Sequence, residues 1–188
     1  MTTVDEHISP VDSQCFREGM SRFGAAVNII TTAGPDGPYG FTASAVCSVS
    51  DTPATLLACI NRSSSCFPVF EKARLFCVNT LAPSHERLSN LFGGKTGMTE
   101  RFANGRWVNG KSGVPVLEDA AVSFECALVH SVDEGTHRVL FGHVLHLRTA
   151  ERDDALIYLA RRYHSIGQTA SRKPDKECRI VSAAMVRR

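Results

Sequence analysis

Two stretches, Gly40-Phe-Thr-Ala-Ser-Ala-Val46 and Cys59-Ile-Asn-Arg-Ser-Ser-Ser65, gather small hydroxyl and amide side chains within a short span of chain. Thr42, Ser44 and Ser48 share one parity, so Thr42 and Ser44 of an extended strand point the same way. Ala43 and Ala45 between them leave the backbone open to a ligand. Ser63, Ser64 and Ser65 follow Asn61 and Arg62 at the end of the second stretch. Hydroxyls, backbone N–H groups and one guanidinium suffice to hold a monophosphate and a polyol chain without a glycine-rich loop. Hydroxyl-rich strand ends also occur as plain solvated hairpin ends, and the chemistry alone leaves both readings open.

Other reactive side chains carry less. Five histidines fall between 130 and 164. His143 and His146, three apart in the strand-like run Val139–Leu147, are expected on opposite faces, which does not suit a shared ion. No CxxC or HExxH spacing occurs, and no metal site is expected. The seven cysteines are an odd number. Cys47, Cys59, Cys77 and Cys126 sit in apolar runs and read as reduced, buried hydrophobes.

The elements that must position these residues follow from the pattern. The hydroxyl-bearing stretches flank Asp51-Thr52-Pro53, so residues 40 to 65 read as two antiparallel strands with a tight connection. Upstream, Phe16, Met20 and Phe23 give helical spacing, with Asp12 or Ser13 as N-cap and Gly24 as stop. Ala25–Thr32 reads as a buried strand and Gly34–Pro38 as a turn. A short helix is expected over Cys66–Ala73, capped by Ser64 or Ser65, with Pro68 in its first turn and its positive end aimed at the serines. Leu75–Thr80 reads as a strand, and Ser84–Phe92 as a helix stopped by Gly93-Gly94.

Lys95–Leu117 predicts a short helix and then a loop or lid, with Trp107 as its core anchor or as a wall of the site. Ala121–Val132 and His137–Leu147 form a long hairpin about Asp133–Thr136. Asp154–Tyr163 fits either a helix or a short strand plus a loop. At least six strands in a meander, with short helices between, favour a closed or partly split antiparallel barrel over a doubly wound sheet. The absence of GxGxxG agrees.

Length and composition bound the rest. The 188 residues, 43% hydrophobic and 21% charged, predict one ordinary globular domain over 12–167, with an N-terminal tail over 1–11 and a C-terminal tail or arm over 168–188. The 21 Lys and Arg are scattered among 19 acids, which argues against nucleic acid as a partner. Met1–Gln14 is polar, predicting neither secretory signal nor membrane anchor, and hence a cytoplasmic protein.

Gly40-Phe-Thr-Ala-Ser-Ala-Val, Cys59-Ile-Asn-Arg-Ser-Ser-Ser, Cys77-Val-Asn-Thr-Leu, Leu88-Ser-Asn-Leu-Phe, Phe124-Glu-Cys, and Gly135-Thr-His followed by Gly142-His-Val occur in that order. Over about residues 13 to 167 the chain thereby resembles the short-chain flavin reductases that serve two-component flavin monooxygenases. The resemblance implies a mainly β, split antiparallel barrel with short peripheral helices. It also implies a homodimer that reduces FMN, or FAD, with NADH and passes the reduced flavin to a monooxygenase component.

Carried over by position, Thr42, Ala43, Ser44, Ala45 and Val46 would line the flavin and its ribityl chain. Cys59 begins the stretch in which Asn61, Arg62, Ser63, Ser64 and Ser65 would hold the phosphate end. Asn79, Leu81 and Ala82 would border the isoalloxazine, and Ser89 and Phe92 would close around phosphate and ring. His137 would approach the nicotinamide, with Tyr163 as a stacking partner or, equally, a core or surface tyrosine. Hydride transfer needs no protein nucleophile, so His137 is expected to position the dinucleotide. The competing readings are a split-barrel module that binds FMN without turning over NADH, and a barrel for another cofactor, as in pyridoxamine-phosphate oxidases. The latter is disfavoured by the lack of a basic phosphate cluster.

Overall fold

A computed structural model describes residues 9–167, which form twelve strands and four short α-helices. Residues 1–8 of the expected N-terminal tail and the whole expected C-terminal arm lie outside the described residues.

The chain opens with α1 (Ser13–Ser21), whose N-terminus is closed by the Asp12 carboxylate, accepting from Gln14 N and Cys15 N at 2.8 Å each. The helical spacing is right, but the apolar face is unpartnered: Phe16, Met20 and Phe23 are all exposed. After β1 (Ala25–Ala26) come β2 (Asn28–Gly34), β3 (Gly37–Ala43), β4 (Val46–Asp51) and β5 (Ala54–Asn61). α2 (Phe67–Phe70) leads into β6 (Leu75–Thr80). A 3-10 turn (Pro83–His85), α3 (Glu86–Gly93) and α4 (Met98–Phe102) follow, then β7 (Trp107–Asn109) and β8 (Pro115–Leu117). Two 13-residue strands, β9 (Val122–Glu134) and β10 (His137–Thr149), and the pair β11 (Ala155–Leu159) and β12 (Arg162–Ile166) complete the fold.

Seven strands make one antiparallel sheet in the order β3-β2-β6-β9-β10-β5-β4. Its two edge strands are consecutive in sequence, joined only by Ser44-Ala45, so the sheet must roll until its edges meet. The result is a barrel whose ladder is open along the β3/β4 seam, and the seam is where the hydroxyl residues lie. Adjacent Ile29 and Ile30 of β2 are both fully buried because the sheet is covered twice. Ile30 joins Phe41, Leu56, Ile60, Phe70, Phe76 and Leu140 inside the barrel. Ile29 joins Leu81, Leu88, Phe92, Leu117 and Leu156 beneath α3 and β11. Each such side chain contributes roughly 1.5–3 kcal/mol by burial.

Five expectations need correction. Of the cysteines expected to be buried, Cys77 and Cys126 are, but Cys47 is exposed on edge strand β4 and Cys59 is half-buried. Asp154–Tyr163 is a hairpin, β11 with β12, added to β1 as a three-stranded sheet; its turn residues Ala160 and Arg161 take φ of 51° and 59°. The segment after α4 is no lid but the β7–β8 ribbon, and Trp107 packs with Phe92 and Phe102 at centroid distances of 5.4 and 4.9 Å. α2 is a single four-residue turn whose N-cap, Cys66, makes no side-chain cap bond, too short for a useful dipole at the serines. His143 and His146 share a face. A bulge pairs them with Ala127 and Glu125, two residues apart on β9. Even so, no group of three metal-ligating side chains forms among the described residues.

Candidate functional site

A cavity of about 630 Å³ opens at the β3/β4 seam. Its floor is the chain that crosses the seam, Thr42, Ala43, Ser44 and Ala45, flanked by Phe41. Cys59 and Asn61 of β5 form one wall with Ser63, Ser64 and Ser65. Phe92, Gly93, Gly94, Lys95 and Arg101 form the other, and His137 stands at the tip of β10. His137 pairs with Asn61 across the β10–β5 ladder, which brings it beside the serine loop.

The serine loop is shaped by its own polar groups. Asn61 Oδ1 accepts from Ser63 N at 2.9 Å and from the Ser63 hydroxyl at 2.8 Å. Ser64 N donates to Asn61 O and Phe67 N to Ser64 O, each at 2.9 Å, while Cys66 N donates to Ser64 Oγ at 3.3 Å. The Ser65 N–H has no partner among the described residues, and neither have those of Ser44 and Ala45. Three unpaired donors on the cavity wall are what an anionic or carbonyl-bearing ligand requires.

Arg101 supplies the charge. The residue is 4% exposed, yet it has no carboxylate partner among the described residues. Its Nη1 donates to Gly40 O at 2.8 Å and Phe92 O at 2.9 Å, Nη2 to Gly94 O at 2.8 Å, and Nε to Thr96 O at 2.8 Å. Four of its N–H bonds are therefore committed to carbonyls and one Nη2 proton is free. Gly40 O also accepts from Cys66 Sγ at 3.2 Å, so the guanidinium and the serine loop converge on one end of the cavity. A buried cation lacking an anion is costly, and a phosphate is the group that would complete it.

Thr42, Ala43, Ser44, Ala45, Cys59, Asn61, Ser63, Ser64, Ser65, Phe92 and His137 thus come together as the sequence suggested. Others do not. Val46 packs against the barrel core, and Ser48 is exposed on β4. Arg62 points away, its Nε 3.9 Å from Asp133. Asn79, Leu81 and Ala82 are fully buried in the core. Asn79 Oδ1 accepts from Leu117 N and Ser123 Oγ, and its Nδ2 donates to Ile29 O, leaving nothing to offer a ligand. Ser89 and Tyr163 stand behind the wall: their hydroxyls lie 2.9 Å apart, and Ser89 O accepts from Thr42 Oγ1 at 2.7 Å. Sequence reasoning missed Phe41, Gly93, Gly94, Lys95 and Arg101, and with them the basic side chains whose apparent lack had disfavoured a barrel for another cofactor.

Burial raises the Cys59 thiol above its ordinary range, helped by neighbouring Cys47. Burial likewise raises Cys66 despite the Arg101 charge and the hydrogen bonds it makes. Neither is a nucleophile at neutral pH. The site offers binding donors, a positive pole made by Arg101 and Lys95 and, among the described residues, no general base other than His137.

Residues 20–167 match the family model described as "Flavin reductase like domain". The chain is 49% identical over 167 residues to "FMN reductase (NADH) RutF" of Stutzerimonas stutzeri, covering 89% of this chain and 96% of that one. Among solved structures, it is similar to a protein of Haemophilus somnus 129pt described as a flavin reductase, with a TM-score of 0.81 and 40% identity, over 83% of this chain and 100% of the other. It is also similar to a nitrilotriacetate monooxygenase component B homolog of Mycobacterium thermoresistibile, with a TM-score of 0.78 and 27% identity, over 92% and 98% of the two chains.

Proposed function

The chain belongs to the flavin reductase like family, and on that premise we infer that it is an NADH-dependent FMN reductase supplying reduced flavin to a partner monooxygenase. The observation that carries the reading is the cavity's positive pole, the buried Arg101 beside the Ser63–Ser65 loop with Lys95 on the same wall. That pole fits a terminal phosphate, and the unpaired N–H groups of Ser44 and Ala45 fit the polar edge of a planar ring.

Bound flavin and dinucleotide supply the redox chemistry, a hydride given by the nicotinamide and taken by the isoalloxazine. The protein supplies geometry and electrostatics. Ser63, Ser64, Ser65, Lys95 and Arg101 hold the phosphate. Ser44 and Ala45 direct N–H dipoles at the place where negative charge develops, where they need no reorganisation. Phe41 and Phe92 keep water from that wall, and His137 orients the nicotinamide.

Open binding in a seam suits a flavin that leaves after reduction to reach an oxygenase. A homodimer is supported by the large apolar side chains left exposed on β9 and β10, Val129, Val132, Leu145 and Leu147.

The test is steady-state oxidation of NADH by purified protein at varied FMN, for the parent chain and His137→Ala. Turnover with a raised KM for NADH and little change in that for FMN is expected of the variant. A parent protein that turns yellow with FMN yet leaves NADH untouched refutes the reductase, and a variant that loses FMN alone refutes the role of His137.

A further inference from the structure

We propose that Arg138 is a positioning residue for the reductase reaction, holding the β9–β10 tip, and with it His137, over the serine loop; this rests on the reading of the seam cavity as the flavin and NADH site. The tip is paired to the serine loop through the His137–Asn61 ladder position, the bond from Arg62 N to Thr136 O at 2.9 Å and the Arg62–Asp133 approach at 3.9 Å, but every residue from Val129 to His137 is exposed, so no buried side chain anchors it. Its turn is two residues long, Gly135-Thr136, with Gly135 at φ 53°.

Successive strand residues face opposite sides. His137 is on the cavity side, so Arg138 is on the outer side, where only 17% of its side chain is exposed. Its guanidinium makes a two-point bond to Asp133, its direct cross-strand partner, with Nε to Oδ1 at 2.5 Å and Nη2 to Oδ2 at 2.9 Å. Nη1 donates to Glu71 Oε1 at 3.1 Å, and the guanidinium carbon lies 4.8 Å from the Phe67 ring centroid. Glu71 and Phe67 bracket α2, the turn that follows the serine loop. One planar side chain therefore ties both strands of the tip to the element behind the phosphate end, a role in which a lysine point charge cannot satisfy both carboxylates.

Two features separate positioning from general support. The serine loop is internally bonded through Asn61 and Ser64, so it keeps its shape without the clamp. The carboxylates it holds are also open to solvent, Asp133 at 38% and Glu71 at 46% exposure, and ion pairs with such partners are screened by salt and contribute little to global stability. Loss of Arg138 should therefore be felt by NADH and not by FMN or by the melting temperature.

The experiment compares the parent, Arg138→Gln and Arg138→Lys with intact protein, measuring KM for NADH and for FMN at low and high NaCl together with Tm. In Arg138→Gln a rise of roughly fivefold or more in KM for NADH is expected, with KM for FMN within about twofold and Tm unchanged. Arg138→Lys should fall between, and the parent's KM for NADH should rise with salt while that of Arg138→Gln does not. An Arg138→Gln protein with the parent's KM for NADH at both salt levels overturns the proposal. Parallel loss of NADH and FMN affinity with a lowered Tm overturns it too, as that marks plain structural support. The outcome is separable from the site assignment, which is tested by His137→Ala and by NADH turnover itself.

Discussion

The guanidinium of Arg101 donates to the carbonyl oxygen of Gly40, 2.8 Å away and 61 positions along the chain. Gly40 lies on β3, one edge of the seam, and Arg101 on α4, behind the Phe92–Lys95 wall. A side chain at Gly40 would meet the Phe92 ring at 2.9 Å and Ile30 O at 3.0 Å, so glycine is what lets wall and edge close together. Arg101 thus does two things at once. It ties the carbonyls of Gly40, Phe92, Gly94 and Thr96 into one wall and leaves a net positive charge beside the serine hydroxyls.

Arg101→Lys should separate these tasks. An ammonium keeps the charge but cannot reach four carbonyls, and hydrogen bonds to charged groups contribute about 1.5–3 kcal/mol each. KM for FMN is expected to rise on the order of tenfold or more, while that for riboflavin, which has no phosphate, rises much less. Kinetics with both flavins measure the ratio. Equal effects on the two would mean that Arg101 serves the wall alone.

How much of this was legible in sequence depends on whether the signal was local. The strands that bear Thr42, Ser44 and Asn61–Ser65 announce themselves by alternation and by the Asp51-Thr52-Pro53 turn, and their neighbours in the sheet do likewise. Arg101 gave no such signal, because its partners are backbone carbonyls from positions as far off as Gly40 and no residue type marks a carbonyl. Asn79 misled for the reverse reason: an amide beside a site motif looks like a ligand donor, and only the fold reveals that Ile29, Leu117 and Ser123 consume it. The β11–β12 hairpin was ambiguous because Ala160 and Arg161 occupy positive-φ turn positions that Asn or Gly normally marks. The histidine parity failed at a bulge, which shifts the two-residue period without leaving a trace in composition.

Cys59 provides a chemical probe of the cavity. It lines the wall, half-buried, and its thiol is raised by burial and by Cys47, so its thiolate fraction at mild pH is below that of an ordinary cysteine. Iodoacetamide should modify exposed Cys15 and Cys47 first and Cys59 slowly, with the Cys59 rate climbing as the pH is raised. Saturating FMN should slow Cys59 further and leave Cys15 unaffected, as read by peptide mass spectrometry. Labelling of Cys59 indifferent to FMN would place the flavin elsewhere.

Glu125 tests whether the β7–β8 ribbon is held by charge. The residue is 8% exposed on β9 and accepts from Lys111 N at 3.1 Å, Ser112 N at 2.7 Å and the Ser112 hydroxyl. Gly110 allows the approach, since a side chain there would sit 2.5 Å from the carboxylate. Burial works against ionisation, but the Ser112 and Lys111 bonds, with nearby His146, hold the carboxyl below its ordinary value of 4.5. A folded-state value below the unfolded one means a stabilising contribution that is complete above about pH 4.5 and is lost as the pH falls through the lower folded value. Glu125→Gln should therefore lower stability at neutral pH by about 1–3 kcal/mol, the cost of replacing a charged acceptor and facing donors with an amide. Urea unfolding from pH 7 to about pH 3 should show the gap between parent and variant closing with acidification, because the parent alone takes up the proton. A gap that stays constant across that range would mean that shape, not charge, holds the ribbon.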